Sequence, residues 1–496
     1  MSRKLLIILA FALGIFMASG AMAVDYGDLS FNHLVVPNTA GTILNPEGKG
    51  DALICPYFDV RVVNGQTQDT YFAIINENMD ATPDQGVAAK LRFREWDKSE
   101  EVFDIDIWLS DNDVWVGAIT RDSANGLGKI TSPDYVIIDD SADYFVISKT
   151  TQVASGFDFF TDFVPGGVDN PSVLPPAGFT SADLTNMGYF EIIGEERTYT
   201  VPDPATLLTP PVHVTRFNGS PVAVRDCPNS LSAYVYIIRV ANGVSLGYNC
   251  DAIANFNRTK WLTLYAGPGA PTPDLSQCQD GLDQLEFELS KAKVYQGYDI
   301  SDAIAGQFSL VVTFPTKHFH FHKPVANVRL DYTSCLVAPI PGVEFCAAPA
   351  PPFTGSTANS GELVNVKIYD RDETPCSPEL GFWSPRTTPT ISLPWEVNVI
   401  SLYPSSAPSV PLQGIRDNVD FTACGFQNGW FWIDLYDSVH FASRATAFGH
   451  LGLDFSQYNG LPTSSRALQE FSNGLIAGYY GDAFPAFYQL NWTEIP

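Results

Sequence analysis

Between Asp51 and Thr120, short apolar runs recur between turn-forming residues, and in two of them, 90–94 and 103–107, charged and apolar positions alternate. A strand sends successive side chains to opposite faces, so a period of two marks a strand lying on a core. The pattern predicts strands over 52–58, 70–76, 87–95, 102–109 and 114–120. These runs are too short, and too rich in β-branched and aromatic residues, for helices.

Two of the runs predict a pairing. Arg92 and Arg94 alternate with Leu91 and Phe93, and Asp104 and Asp106 alternate with Ile105 and Ile107. A turn over 96–101 sets Arg94 opposite Asp104 and Arg92 opposite Asp106. The hairpin would then carry ion pairs on its outer face, each worth about 0.2–1 kcal/mol, and bury the four apolar residues.

Further strands are expected over 189–193, 233–240, 261–265, 308–314, 363–369, 395–402 and 429–436. Leu282, Leu285 and Leu289 fall at helical spacing behind Asp280, a candidate cap. A second short helix is expected from Ser464 or Ser465 to Asn473-Gly474. Pro- and Gly-rich stretches suggest domains over 24–205, 206–345 and 346–496. The expected fold is mainly β: two or three β-sandwich domains, immunoglobulin-like or jelly-roll-like, with a few short helices.

The N-terminus changes the picture of the compartment. Arg3 and Lys4 precede an apolar run to Met17, and Ala21-Met22-Ala23 offers small residues for cleavage, so 1–23 reads as a secretory signal peptide. Its removal takes the formal charge from -27 to -29. So acidic a chain repels phosphate backbones and anionic headgroups, which argues against nucleic acid as a partner. No later apolar run reaches the ~18 residues of a membrane-spanning helix, so no transmembrane segment is expected after cleavage. The expected location is outside the inner membrane: periplasm, cell surface or extracellular space.

In such a compartment the 8 cysteines read as disulfide partners. Proximity in sequence suggests Cys227 with Cys250, Cys335 with Cys346 and Cys376 with Cys424, leaving Cys55 with Cys278.

Three constellations carry candidate chemistry. On a strand, His318, His320 and His322 would share one face about 6.8 Å apart, and imidazoles so placed suit a divalent metal. A further ligand would come from elsewhere, such as His33, His213, His440, His450 or a carboxylate. The bland reading is the polar face of an amphipathic strand, with no cofactor. Asp104 and Asp106 have the spacing of a glycosidase acid pair, but ion pairing with the facing arginines competes with that role. Trp108, Trp430 and Trp432 are candidates for a sugar-stacking platform, against the commoner placement of Trp in a core. No catalytic residue is assigned, since no nucleophile elbow or zinc-protease helix motif occurs.

Several segments resemble a family of exported, functionally uncharacterised β-sandwich proteins of Gram-negative bacteria. They are Gly50-Asp51-Ala52-Leu53-Ile54, Lys90 to Glu95 with Asp111-Asn112-Asp113-Val114-Trp115, Val312-Thr313-Phe314-Pro315-Thr316-Lys317, Asn428-Gly429-Trp430 and Tyr458-Asn459-Gly460-Leu461-Pro462. The resemblance implies export and β-sandwich domains and brings no catalytic residues. In that family the stretch after Pro-Thr-Lys need not be histidine-rich.

Together these readings point first to a secreted, non-enzymatic structural or adhesive protein, with self-assembly or a surface glycan as its partner. The alternatives are a carbohydrate- or metal-binding module and, behind them, a glycan-active hydrolase.

Overall fold

A computed structural model describes most of residues 41–489; outside it lie 1–40, 196–213, 257–273, 330–352, 354–361, 374–389, 403–425, 436–459, 473–478, 490–496 and some shorter stretches. The protein is mainly β, built from several sheets that are almost wholly antiparallel. Among the described residues the α-helices are two short ones, Ser181–Leu184 and Leu282–Leu289.

Two sheets form the first layer pair. The large sheet has eleven strands among the described residues, with Ala52–Asp59, Met187–Glu195, Gln85–Glu95 and Glu101–Ser110 adjacent at its middle. The six-stranded sheet runs Phe157–Asp158, Gly128–Thr131, Val114–Arg121, Asp69–Asn76, Leu231–Arg239 and Val244–Asn249. Alternation puts Phe72 and Trp115 of one sheet against Phe93 and Phe190 of the other. Phe93 sits at the centre, with the rings of Phe58, Phe72, Phe103, Phe159 and Phe190 between 5.0 and 6.3 Å away. The chain passes between the sheets at Cys250, which follows Val244–Asn249 and precedes Asp251–Ala254. There it is joined to Cys55 by a disulfide spanning 195 residues of sequence.

The second layer pair explains why 307–313 has no exposed face, although Gln307, Ser309 and Thr313 are polar. Gln307–Thr313 is buried along its whole length, in a four-stranded sheet with Val397–Leu402, Ser464–Ser472 and Tyr479–Pro485. Val311, Val399 and Leu468 join the first core. Phe308, Leu310, Val312, Ile400 and Ala467 face the other way and pack on Val294, Val366, Ile368, Phe431 and Ile433. Those belong to a five-stranded sheet ordered Thr390–Leu393, Glu362–Asp370, Asn428–Asp434, Lys293–Asp299 and Phe487–Gln489. A strand covered on both faces must satisfy its polar side chains inside the protein, as Ser309 does with the Ser401 hydroxyl at 3.1 Å and Thr313 by donating to the Pro56 carbonyl at 2.7 Å. Trp96 meets Trp395 edge to face at 5.0 Å, which ties the layer pairs together.

Several expectations are corrected. The sheets do not follow boundaries at 205 and 345: Leu231–Arg239 pairs with Asp69–Asn76, and Glu362–Asp370 shares a sheet with Lys293–Asp299. Ser464–Ser472 is a strand and not a helix. It lies between Gln307–Thr313 and Tyr479–Pro485, so pairing on both sides overrides its local helical cues. Helix Leu282–Leu289 forms with Leu282, Leu285 and Leu289 buried, but Gly281 holds the cap position without a side-chain bond. Asp280 instead accepts hydrogen bonds from the amide and hydroxyl of Thr42, at 2.7 and 3.0 Å.

The cysteine pairing also differs. Cys250 bonds to Cys55, so it pairs neither with Cys227 nor leaves Cys55 for Cys278. Cys278 is a buried thiol whose sulfur lies 3.2 Å from the Thr42 hydroxyl. Cys227, Cys335, Cys346, Cys376 and Cys424 lie outside the described residues, as does the strand expected over 261–265.

Candidate functional site

The hairpin of Gln85–Glu95 and Glu101–Ser110 forms, but its register is two residues from that expected. Arg92 faces Asp104, Lys90 faces Asp106, and a bulge sets Arg94 opposite Glu101. The cause lies in the turn. The Glu95 carboxylate accepts the backbone N–H groups of Asp97, Lys98 and Glu100, and Ser99 takes a left-handed φ of 56°. The chain therefore reverses sooner than a turn over 96–101 allows.

These charges are buried, not exposed as expected: Lys90, Arg92 and Arg94 are at most 6% exposed. The Lys90 ammonium lies 2.8 Å from both Asp104 and Asp106. Arg92 pairs with Glu101 at 2.8 Å and Arg94 with Glu191 at 2.7 Å. Burial alone would lower Lys90, but Asp106, Glu195 and Asp104 outweigh it and hold the ammonium above the ordinary lysine value. Burial pushes Asp106 up against the pull of Lys90. The lysine of this clamp is buried, Asp106 is nearly so, and Asp104 keeps a partly exposed side chain, so both acids are held in ion pairs with one ammonium.

The histidine cluster divides. Lys317–His320 is a 3-10 turn, so the alternation that needs extended backbone does not apply there. His318 is 7% exposed, its ring 3.8 Å from that of Phe319. The side chain of His320, and all of His322, His33, His213, His440 and His450, lie outside the described residues. Among the described residues no group of three or more His, Cys, Asp or Glu is placed to hold a metal ion.

The three tryptophans part company. Trp108 is 5% exposed and covered edge-on by Tyr135, so it offers no face to solvent. Trp430 and Trp432 are half-buried on the outer face of the five-stranded sheet, opposite the inward Phe431 and Ile433. Register builds a patch around them. Trp432 lies between Lys367 and Tyr295, and Trp430 between Tyr369 and Gly297.

The two indoles are held differently. Lys293 and Lys367 each lie over the Trp432 ring, with the ammonium 4.8 Å from its centroid. The Tyr369 and Trp430 rings stack at 4.1 Å and 9°. Directly opposed residues on antiparallel strands have Cα atoms about 4.5–5.5 Å apart, so these two rings stand side by side off the sheet. Tyr369 covers the side of Trp430 toward Glu362–Asp370. The other side faces Lys293–Asp299, where the partner is Gly297. Among the described residues a Cβ at Gly297 would meet only the Gly429 carbonyl oxygen within 4 Å, at 3.7 Å. The result is a slot with one aromatic wall and a backbone floor, beside Tyr295, which is 39% exposed. At its far end Asp299 pairs with Arg371 at 3.3 Å. Beneath the sheet, burial with Asp370 nearby pushes the Tyr298 hydroxyl up to about 12.

Sequence reasoning found Trp430 and Trp432 but not Tyr369, Lys367, Tyr295, Lys293 or Gly297. The signal was present in Lys293-Val-Tyr-Gln-Gly-Tyr298, where Val294, Gln296 and Tyr298 alternate with the outer residues. No family model, no curated protein and no solved structure matches the chain.

Proposed function

We propose that this chain is an exported, non-enzymatic adhesive protein that holds a carbohydrate ring against Trp430. The carrying observation is the slot over Gly297: one indole face is braced by Tyr369, and the residue opposite the other face has no side chain. An aromatic face stacks on the apolar C–H face of a sugar, while neighbouring polar groups meet its hydroxyls. A braced ring loses little side-chain freedom on binding. The signal-like segment over 1–23 and the Cys55–Cys250 disulfide support export to an oxidising compartment. The buried Lys90 clamp on Asp104 and Asp106 favours binding over hydrolysis.

The test uses the purified mature chain on a glycan array, followed by calorimetry with the glycans that score. Trp430→Ala should weaken binding by about tenfold, or 1.4 kcal/mol. Gly297→Val should abolish it while leaving the thermal midpoint unchanged or raised, since the site has room for a branched side chain and strands favour one. An array without a hit, or a Gly297→Val protein that binds as wild type, overturns the reading.

A further inference from the structure

We infer that the outer face of the six-stranded sheet is the contact between two copies of this chain. In an antiparallel sheet with one face on a core, the other face is ordinarily polar. Here the alternation is intact, but the middle strands turn aliphatic and aromatic residues outward, with Thr120, Thr131, Ser232, Ser245 and Asn249 lying around them. Val114–Arg121 turns Val114 and Val116 outward, with Val114 41% exposed. The adjacent Asp69–Asn76 turns out Tyr71, and Leu231–Arg239 turns out Tyr234, Tyr236 and Ile238. Tyr71 lies directly opposite Tyr236, which is 39% exposed and edge-on to Tyr234 at 5.5 Å. Charges stand at the margins: Asp69 at one corner, Lys129 with Asp122 and Asp158 along one side, and Lys49 with Glu77 at one end. An apolar centre inside a charged rim is the layout of an interface.

The chain's own charge selects the occupant. Two mature copies carrying -29 each repel over most of their surfaces, and they meet at least electrostatic cost where the centre of a face is uncharged. A basic partner would gain nothing there and would dock on the acidic remainder. Shape permits it, because twisted sheets pack face to face with strands aligned near −30°. Five strands about 4.8 Å apart, each about seven residues long at about 3.4 Å per residue, make a face on the order of 600 Å². That approaches the ~800 Å² per partner of a stable interface.

The test is sedimentation equilibrium of the purified full mature chain across micromolar concentrations. The expected result is a reversible dimer that tightens as salt rises from about 0.02 to about 0.5 M, because screening weakens repulsion between copies. Tyr236→Asp should weaken the dimer by at least about tenfold, and Tyr295→Asp, on the other aromatic face, should leave it unchanged. Val114→Lys should repeat the Tyr236→Asp result and guards against a folding defect, which the thermal midpoints of all three variants would report. A wild-type monomer at 100-fold the expected range, or a dimer untouched by both face variants, overturns the inference. So does a monomer whose glycan binding falls with Tyr236→Asp, because the face then serves a sugar.

Discussion

Two sheet faces in this protein carry the side chains usually given to the other kind of face. The outer face of the large sheet bears Lys90, Arg92, Arg94, Glu101, Asp104, Asp106, Glu191 and Glu195, and most of these are buried. The outer face of the five-stranded sheet bears Tyr295, Tyr369, Trp430 and Trp432, and these stay half-buried or exposed. What a third layer covers makes the difference. Leu275, Leu282, Leu285 and Leu289 pack on Ala52, Ile54 and Ile193 of the large sheet, so the charges beside those residues lose water and must satisfy one another. The aromatic face has the lysines of its own strands leaning over it. Burial therefore follows from the arrangement of layers, and polarity only sets what burial costs.

The strongest way to break this contrast is to unbalance the buried side. Glu191 has no exposed side-chain surface, and burial pushes its carboxyl up while Arg94 and Arg92 pull it down. Arg94→Met removes the partner at 2.7 Å and leaves the buried carboxylate only the pull of Arg92, which is already paired with Glu101. The expected loss is about 3–5 kcal/mol, read from chemical denaturation midpoints. Adding Glu191→Met should restore most of it, since a pair replaced by apolar residues is often neutral. A single variant costing less than about 1 kcal/mol would mean water reaches this face.

A smaller effect, of opposite sign, is expected at Glu195. Its carboxylate oxygens are buried and have no hydrogen-bond partner among the described residues. Burial, with Asp106 adding repulsion, pushes this carboxyl well above its ordinary 4.5. The folded chain thus holds a proton that the unfolded chain has released. Stability contributed by that proton is present below about pH 4.5 and is lost as pH rises through the raised value. Glu195→Gln should therefore stabilise by on the order of 1 kcal/mol at neutral pH and by nothing near pH 4. Equal thermal midpoints for the two proteins across that range would show the carboxylate to be solvated or paired.

Much of this architecture is legible in the amino-acid order, and the exceptions share a cause. Strands such as Gln85–Glu95 and Glu101–Ser110 announce themselves because alternation is a local consequence of lying on a core, and Ala52–Asp59 does so as a short apolar run buried at every position. The disulfide does not, because Cys55 and Cys250 are 195 residues apart and only the meeting of two sheets brings them together. Ser464–Ser472 reads as helical until strands on both sides claim its backbone. The hairpin register turned on one carboxylate, Glu95, folding back on its own turn. The candidate site shows the same division. Trp430 and Trp432 stand out in the sequence, whereas Gly297 acquires meaning only when register sets it opposite Trp430.

The smallest effect is expected on the exposed aromatic face. Lys367 is exposed and sits over Trp432, opposite it in register, while Lys293 lies over the same ring from the neighbouring strand. A solvated cation–π contact is worth about 0.5–1 kcal/mol, so Lys367→Ala should cost no more than that in stability. It should also uncover one side of the indole. If the lysines keep Trp432 from serving as a second stacking surface, Lys367→Ala should leave sugar affinity at Trp430 within about twofold and raise the number of rings bound along a long glycan. A Lys367→Ala protein that loses affinity tenfold would instead make the ammonium a direct ligand of the sugar, and the slot would extend from Gly297 to the edge of Glu362–Asp370.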